Sequence, residues 1–179
     1  MIEPNRAMKP TRNSIEGSST LLNKARALGL RLPHDLQRLA VARGCRYYIV
    51  DPGPLPPADL AFTNAELAVA LLSPSLPPEP QDIRVAAAVL SSPDVDVSAL
   101  VTLAETEGCS GLVRYIAGCG LKYEPDIVFW RALLDRLGDI ETPTGPLPHP
   151  TRFIEMTGMV RGKIGLFTHW IRPIPVPSR

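Results

Sequence analysis

The apolar positions between residues 80 and 138 recur with the period of an α-helix. In the first part of this segment they fall at i, i+3, i+4 and i+7, which places them on one helix face: Ile83, Ala86, Ala87 and Leu90. A similar spacing starts again at Val97, at Leu112 and at Ile127. The pattern therefore predicts four short helices, which form the centre of the predicted fold.

Start signals precede each of these helices. Pro80 and Pro125 suit a first helical position, where the missing N–H of proline costs nothing. The side-chain oxygens of Asp96 and Ser110 suit N-caps, because they can accept hydrogen bonds from N–H groups of the first turn. These four residues set the predicted helix starts.

Proline and glycine supply the stop signals. Pro93 ends the first helix, because proline disrupts the helix that precedes it. Gly108 and Gly138 offer the left-handed conformation that closes many helices. We expect Gly118 and Gly120 to end the third helix as well.

The sequence also matches itself loosely at a shift of thirty residues. Asp96 falls on Asp126, and Gly108 falls on Gly138. A helical hairpin cannot bury its apolar face alone and stacks on a neighbouring copy. The period and caps resemble the HEAT-like class of helical-hairpin repeats, without a family-specific motif. A compact bundle of short helical hairpins gives the same signals, so residues 80–138 are a candidate repeat only.

Three more helices are predicted closer to the N-terminus. Residues 19–28 and 33–43 each have an apolar face and are followed by glycine. Thr63 and Glu66 have the spacing of a capping box, in which the hydroxyl and the carboxylate each accept from a backbone N–H. The helix that follows, through Leu72, is apolar on most sides, which is typical of a buried helix.

Two segments have the composition of strands. Residues 45–50 are aromatic and β-branched, and residues 163–171 are the best candidate for their partner. We expect one minor strand pair between them, tying the ends of the chain together. Residues 151–162 fit either a short helix or the arm of a hairpin.

Proline indicates how the chain is divided. The chain has 20 prolines in 179 residues, about twice the usual share, and they cluster in segments that serve as connectors. We predict a mainly α fold with a flexible N-terminal tail at 1–18, a helical domain at 19–138, a proline-rich connector at 139–150 and a C-terminal extension at 151–179. Tails of this composition rarely order alone, so we expect a partner, a second copy or the domain surface to hold them.

Charge is unevenly distributed along the chain. The net charge is +1, but residues 1–50 carry +6, residues 51–107 carry −8 and residues 108–179 carry +3. A basic segment favours nucleic acid or an acidic partner. The basic and acidic segments could equally lie against each other, within one chain or between copies.

Nothing in the sequence predicts a membrane span, since no run of about eighteen apolar residues occurs. Residues 1–20 lack the apolar core of a signal peptide. With three cysteines and no secretory signal, disulfides are not expected. We therefore expect a cytoplasmic protein.

The usual catalytic and metal-binding patterns are absent from the sequence. The cysteines have no ligand spacing, no nucleophile elbow is present, and Gly162-Lys163 is followed by isoleucine rather than the Ser or Thr of a phosphate-binding loop. We therefore assign no catalytic, cofactor-binding or metal-binding residue, and expect the protein not to be an enzyme. An unrecognised site around Lys163, His169 and Arg172 is the alternative, as is a basic loop at 158–165 that grips a phosphate.

These observations favour a non-catalytic interaction protein or adaptor, a structural component of a larger assembly that binds through helical faces and proline-rich tails. Its partner would be another protein or a second copy of the chain. The alternative is nucleic-acid binding through the basic region 6–46. The candidate interaction residues are Arg12, Lys24, Arg26, Arg31, Arg38, Arg43, Arg46, Trp170, Ile171, Arg172, Ile174 and Val176.

Overall fold

The computed structural model describes residues 19–45, 61–157 and 167–174. These ranges contain seven α-helices: α1 (Thr20–Ala27), α2 (His34–Ala42), α3 (Asn64–Leu71), α4 (Pro80–Leu90), α5 (Val97–Thr106), α6 (Ser110–Tyr123) and α7 (Val128–Leu137). A 3-10 helix (Pro150–Phe153) and two strands, β1 (Ile154–Thr157) and β2 (Phe167–Trp170), follow. The fold is mainly helical, as the sequence predicts.

Several helix ends follow the predicted signals. The capping box of α3 is complete, because the Thr63 hydroxyl accepts from the Glu66 N–H and the Glu66 carboxylate accepts from the Thr63 N–H. Asp96 caps α5 by accepting from the Ala99 N–H at 2.9 Å. Gly138 closes α7 with a positive φ of 66°.

The ends of α6 differ from the prediction. Ser110 is its first helical residue and not its cap, and the helix continues through Gly118 and Gly120 to Tyr123. Gly120 faces α7, where a Cβ atom would overlap the ring of Trp130. This glycine lets two helices approach closely, so its role is packing and not termination.

The start of α7 also lies later than predicted. Pro125 belongs to a turn, closed by a hydrogen bond of 3.1 Å from the Ile127 N–H to the Glu124 carbonyl. The helix begins at Val128, three residues after Pro125.

Helix α3 lies at the centre of the core. Its residues from Leu67 to Leu71 are all buried, as its uniform apolar composition predicts. Helix α4 packs chiefly against α3, α5 packs against both α3 and α7, and α6 packs against α7. In a repeat of helical hairpins, α4 would pack chiefly against α5, its partner in the first hairpin. This pairing is not the main contact of α4, so the HEAT-like repeat is unconfirmed and stays a prediction.

The two strands form one antiparallel hairpin in the C-terminal extension. Ile154 lies opposite Trp170, and Thr157 lies opposite Phe167. The predicted segment 163–171 therefore supplies β2, but β2 pairs with β1, which is close in sequence and costs little entropy to bring near. Residues 46–50, the core of the partner strand predicted at 45–50, lie outside the described residues.

The described part of the C-terminal extension packs on the helical domain itself. Trp170 is fully buried, stacks on Phe153 with ring centroids 5.4 Å apart, and donates from Nε1 to the Ala87 carbonyl of α4 at 3.1 Å. The Ile174 N–H donates to the Gly44 carbonyl at 3.1 Å. Of the three expected ways of holding the tail, residues 167–174 therefore show the domain surface.

A buried carboxylate joins the start of α1 to the end of α5. Glu107 accepts from the Ser19 hydroxyl at 2.5 Å, from the Thr20 hydroxyl, and from the Leu21 N–H at 3.1 Å. Burial alone would raise the pKa of Glu107, but these hydrogen bonds outweigh burial and lower the pKa from its usual value of 4.5. The carboxylate thus serves as an additional cap for α1.

Replacing Glu107 with glutamine is expected to lower the free energy of unfolding by about 1.5 kcal/mol at pH 7, because an ionised acceptor is lost. A lowered folded pKa contributes stability that is complete above pH 4.5 and disappears as the pH falls through the folded pKa. Denaturant titrations from pH 7 to pH 2 should therefore show the two proteins converging. The exposed neighbour Glu105→Gln is the matched control, and an unchanged gap at pH 2 would contradict this role.

Candidate functional site

Those predicted basic residues that the structure describes are engaged with groups of their own domain. Lys24 lies 2.8 Å from the Glu66 carboxylate, and its ammonium lies 4.7 Å from the centroid of the Phe62 ring. Arg43 donates to the Phe62 carbonyl at 2.6 Å and to the Asn64 side-chain oxygen at 2.8 Å. These contacts hold α1 and α2 against the start of α3.

A second group of cations surrounds Asp35 in α2. Arg31 donates to its carboxylate from the backbone at 2.8 Å, and Arg38, itself buried, donates at 3.1 Å. Burial would raise the pKa of Asp35, but these hydrogen bonds outweigh it and hold the pKa well below its usual range. Arg26 donates to Asn23 at 3.0 Å on the exposed side of α1. Because these cations already have acceptors, the structure gives no added support to a nucleic-acid surface.

The predicted C-terminal residues divide between core and surface. Trp170 and Ile171 are fully buried, so neither side chain is available to a partner in this conformation. Arg172 donates to the Glu124 carboxylate from both terminal guanidinium nitrogens, at 2.6 and 2.5 Å, and Ile174 is 44% exposed. Arg12, Arg46 and Val176 lie outside the described residues.

An apolar surface lies at the start of α7. Val128 is 77% exposed and Ile127 is 42% exposed, although both are large apolar residues. Ile127 also lines a cavity of about 210 Å³, whose walls include Pro93, Phe129 and buried Trp130. We call Pro93, Ile127, Val128 and Phe129 the α7 surface.

Two exposed carboxylates lie next to the α7 surface. Asp126 directly precedes Ile127, and Asp94 follows Pro93 in the turn before α5, and both are exposed. Arg172 lines the same cavity, but its charge is matched by Glu124. Burial would raise the pKa of Glu124, but the hydrogen bonds from Arg172 and Trp130 outweigh burial and lower this pKa. The surface is therefore apolar with an acidic edge.

A second cavity lies between two proline-rich segments. It measures about 220 Å³ and opens between the turn at residues 73–79, which joins α3 to α4, and residues 143–147 of the predicted connector. Leu72, Ile83 and Leu112 supply part of its walls. We call this cavity the proline pocket. Its two proline segments are seventy residues apart in sequence, so their meeting could not be predicted from either one.

Asp82 also lines the proline pocket, and the sequence analysis did not single it out. It is only 2% exposed. Val85 and Ala86 lie three and four residues later in α4 and are both fully buried, so Asp82 shares their face. The continuous burial of α4 is the signal that could have shown this carboxyl turning inward.

The described residues offer little for nucleophilic or metal chemistry. Cys45, Cys109 and Cys119 are buried, and burial raises the pKa of Cys45 and of Cys109 to about 12, which keeps these thiols protonated. Within residues 19–45, 61–157 and 167–174, no group of three metal-ligating side chains is found. His169 pairs across the hairpin with Glu155 at 3.4 Å, while Lys163 lies outside the described residues.

Comparison of the chain with protein-family models, with curated proteins and with solved structures gave no match. In the part of the chain that the structure describes, no helix combines the length and apolar character needed to cross a membrane. The α7 surface and the proline pocket are the candidate functional sites.

Proposed function

We propose that this protein is a non-catalytic interaction component of a larger assembly. Its α7 surface binds a segment of a partner protein in which apolar residues are flanked by Lys or Arg. The observation that carries the proposal is the exposure of two consecutive large apolar residues, Ile127 and Val128, beside a cavity. Exposed apolar patches next to a cavity are typical of protein interaction sites.

The size of the site supports a peptide-like occupant. Burying a valine or isoleucine side chain contributes about 1.5–3 kcal/mol, so covering Ile127 and Val128 supplies a useful part of a binding energy. The cavity of about 210 Å³ beside them accepts one partner side chain against Phe129 and Trp130. Such a buried anchor at the centre of a contact is where binding energy concentrates.

The acidic edge supports the choice of a basic partner. Asp94 and Asp126 are exposed next to the apolar residues, and the charge of Arg172 is matched by Glu124. Lysine or arginine beside the apolar anchor would complement these carboxylates and speed association. An acidic partner would be repelled.

A peptide library selected on the folded protein tests this proposal. We expect the selected peptides to combine apolar residues with Lys or Arg, and to bind the double variant Ile127→Ser/Val128→Ser at least roughly tenfold more weakly, since two apolar contacts are lost. Serine is a favourable N-cap at position 127, so the variant should keep α7 folded. Leu28→Ser is the matched control, because Leu28 is 41% exposed in a different helix end.

Three outcomes would overturn the proposal. Selected peptides could bind the double variant as well as the wild type. Light scattering could show a dimer that the double variant abolishes, which would make a second copy the occupant. Retention on heparin that falls steeply with salt would support instead the alternative, nucleic-acid binding through residues 6–46.

A further inference from the structure

The proline pocket holds a carboxyl group whose hydrogen bonds are incomplete. Asp82 Oδ1 accepts from the Gln37 side-chain amide at 2.5 Å. Asp82 Oδ2 is buried and has no hydrogen-bond partner among the described residues. A buried acceptor without a partner is costly to the folded protein, so a side chain of this kind invites a functional explanation.

The surroundings of Asp82 do not neutralise its charge. Among the described residues that line the pocket, the ionisable ones are Glu79 and Asp82, both acidic. Burial raises the pKa of Asp82, the Gln37 amide lowers it in part, and the nearby Glu79 raises it further, so the net direction is upward. A cation brought into the pocket would relieve both the missing hydrogen bond and the uncompensated charge.

The rest of the pocket is apolar. Its walls combine Leu72, Leu76, Ile83 and Leu112 with proline rings from both segments. A cavity of about 220 Å³ is larger than the roughly 150 Å³ cavity that holds benzene in an engineered protein. A six-membered ring with a short side arm therefore has enough space.

We propose that the proline pocket binds a primary amine on a small apolar body, which lies against Leu72, Ile83 and Leu112. The ammonium donates to Asp82 Oδ2, which is covered in this conformation and becomes accessible when the carboxyl group rotates toward the ligand. Hydrogen bonds between an ammonium and a carboxylate are about twice as strong as neutral ones, and apolar walls strengthen them further. An apolar acid would meet two carboxyl groups, and an apolar alcohol would bring no compensating charge. The amine can come from a free small molecule or from a lysine side chain of a protein.

The test compares three ligands of one shape on the full chain. Cyclohexylmethylamine, cyclohexylmethanol and cyclohexanecarboxylate are each titrated while methyl resonances are followed by NMR. We expect the amine alone to shift the methyl groups of Leu72, Leu76, Ile83 and Leu112, while the methyl groups of Leu28, which does not line the pocket, stay unchanged. The two other ligands should bind at least roughly tenfold more weakly, since each lacks the charge-assisted bond.

Variants connect the binding to the carboxyl group. Asp82→Asn keeps the shape of the side chain and removes a buried charge, so it should fold, and we expect it to bind the amine at least roughly tenfold more weakly. Asp94→Asn, which removes an exposed carboxyl outside the pocket, should bind as the wild type does. The Ile127→Ser/Val128→Ser variant should also bind normally, because neither residue lines this pocket.

The source of the amine is distinguished by a fourth ligand, a short apolar peptide with one central lysine. Tighter binding of the peptide than of cyclohexylmethylamine would identify a protein side chain as the occupant, and weaker binding would identify a small molecule. Equal binding of the alcohol and the amine would overturn the proposal. So would the absence of shifts in the wild-type methyl groups, or unchanged binding by Asp82→Asn.

Discussion

Replacing Trp170 with alanine is expected to lower the free energy of unfolding by about 3–5 kcal/mol, the cost of removing a fully buried aromatic side chain. The indole lies between two other aromatic rings, with its centroid 4.8 Å from that of Trp130 and 5.4 Å from that of Phe153. It also donates to the Ala87 carbonyl, which would lose that partner. The loss therefore reaches both α4 and α7.

Denaturant unfolding followed by circular dichroism measures this effect. Ile174→Ala is the control in the same segment, because Ile174 is 44% exposed and should contribute far less. Trp170→Phe keeps most of the ring contact but loses the hydrogen bond, so its stability should fall between the two. A cost below about 1 kcal/mol for Trp170→Ala would mean that the C-terminal extension contributes no core.

Replacing Gly44 with alanine is expected to lower the free energy of unfolding by about 2–5 kcal/mol, the second largest effect. The residue has a φ of 100°, which costs an L-amino acid about 1–2 kcal/mol. An added Cβ would also overlap the backbone of Ile174, and an overlap of that kind costs about 1–3 kcal/mol more. The segment at Ile174 must then move away from the end of α2.

Gly29→Ala provides a closely matched control. Gly29 has a φ of 75° at the end of α1, but a Cβ there would meet no atom within 4 Å. The difference in unfolding free energy between the two variants, measured by urea titration, therefore isolates the contact with Ile174. If the two variants cost the same, residues 171–174 do not lie where the structure places them.

Local signals in the sequence were sufficient to predict most helices. The capping box at Thr63 and the cap at Asp96 act within one turn, so they can be recognised without knowledge of the fold. Gly120 shows where this reasoning fails. Its neighbour across the helix interface is Trp130, and only that packing distinguishes a glycine of close approach from one that ends a helix.

The C-terminal extension and the candidate sites depend on contacts that are distant in sequence. The sequence analysis predicts Trp170 as a partner-binding residue of the C-terminal extension, but its pocket is built by α4, α7 and the 3-10 helix. The proline pocket likewise brings Asp82 of α4 and residues 143–147 together although they are distant in sequence. Composition and period carry no information on such contacts.

The two tryptophans of the chain, Trp130 and Trp170, are neighbours in the folded protein, with ring centroids 4.8 Å apart. Both tryptophan fluorophores therefore lie where the C-terminal extension meets α7. If the extension detaches first, tryptophan emission changes before the far-ultraviolet ellipticity of the remaining helices does, and the two signals trace separate transitions.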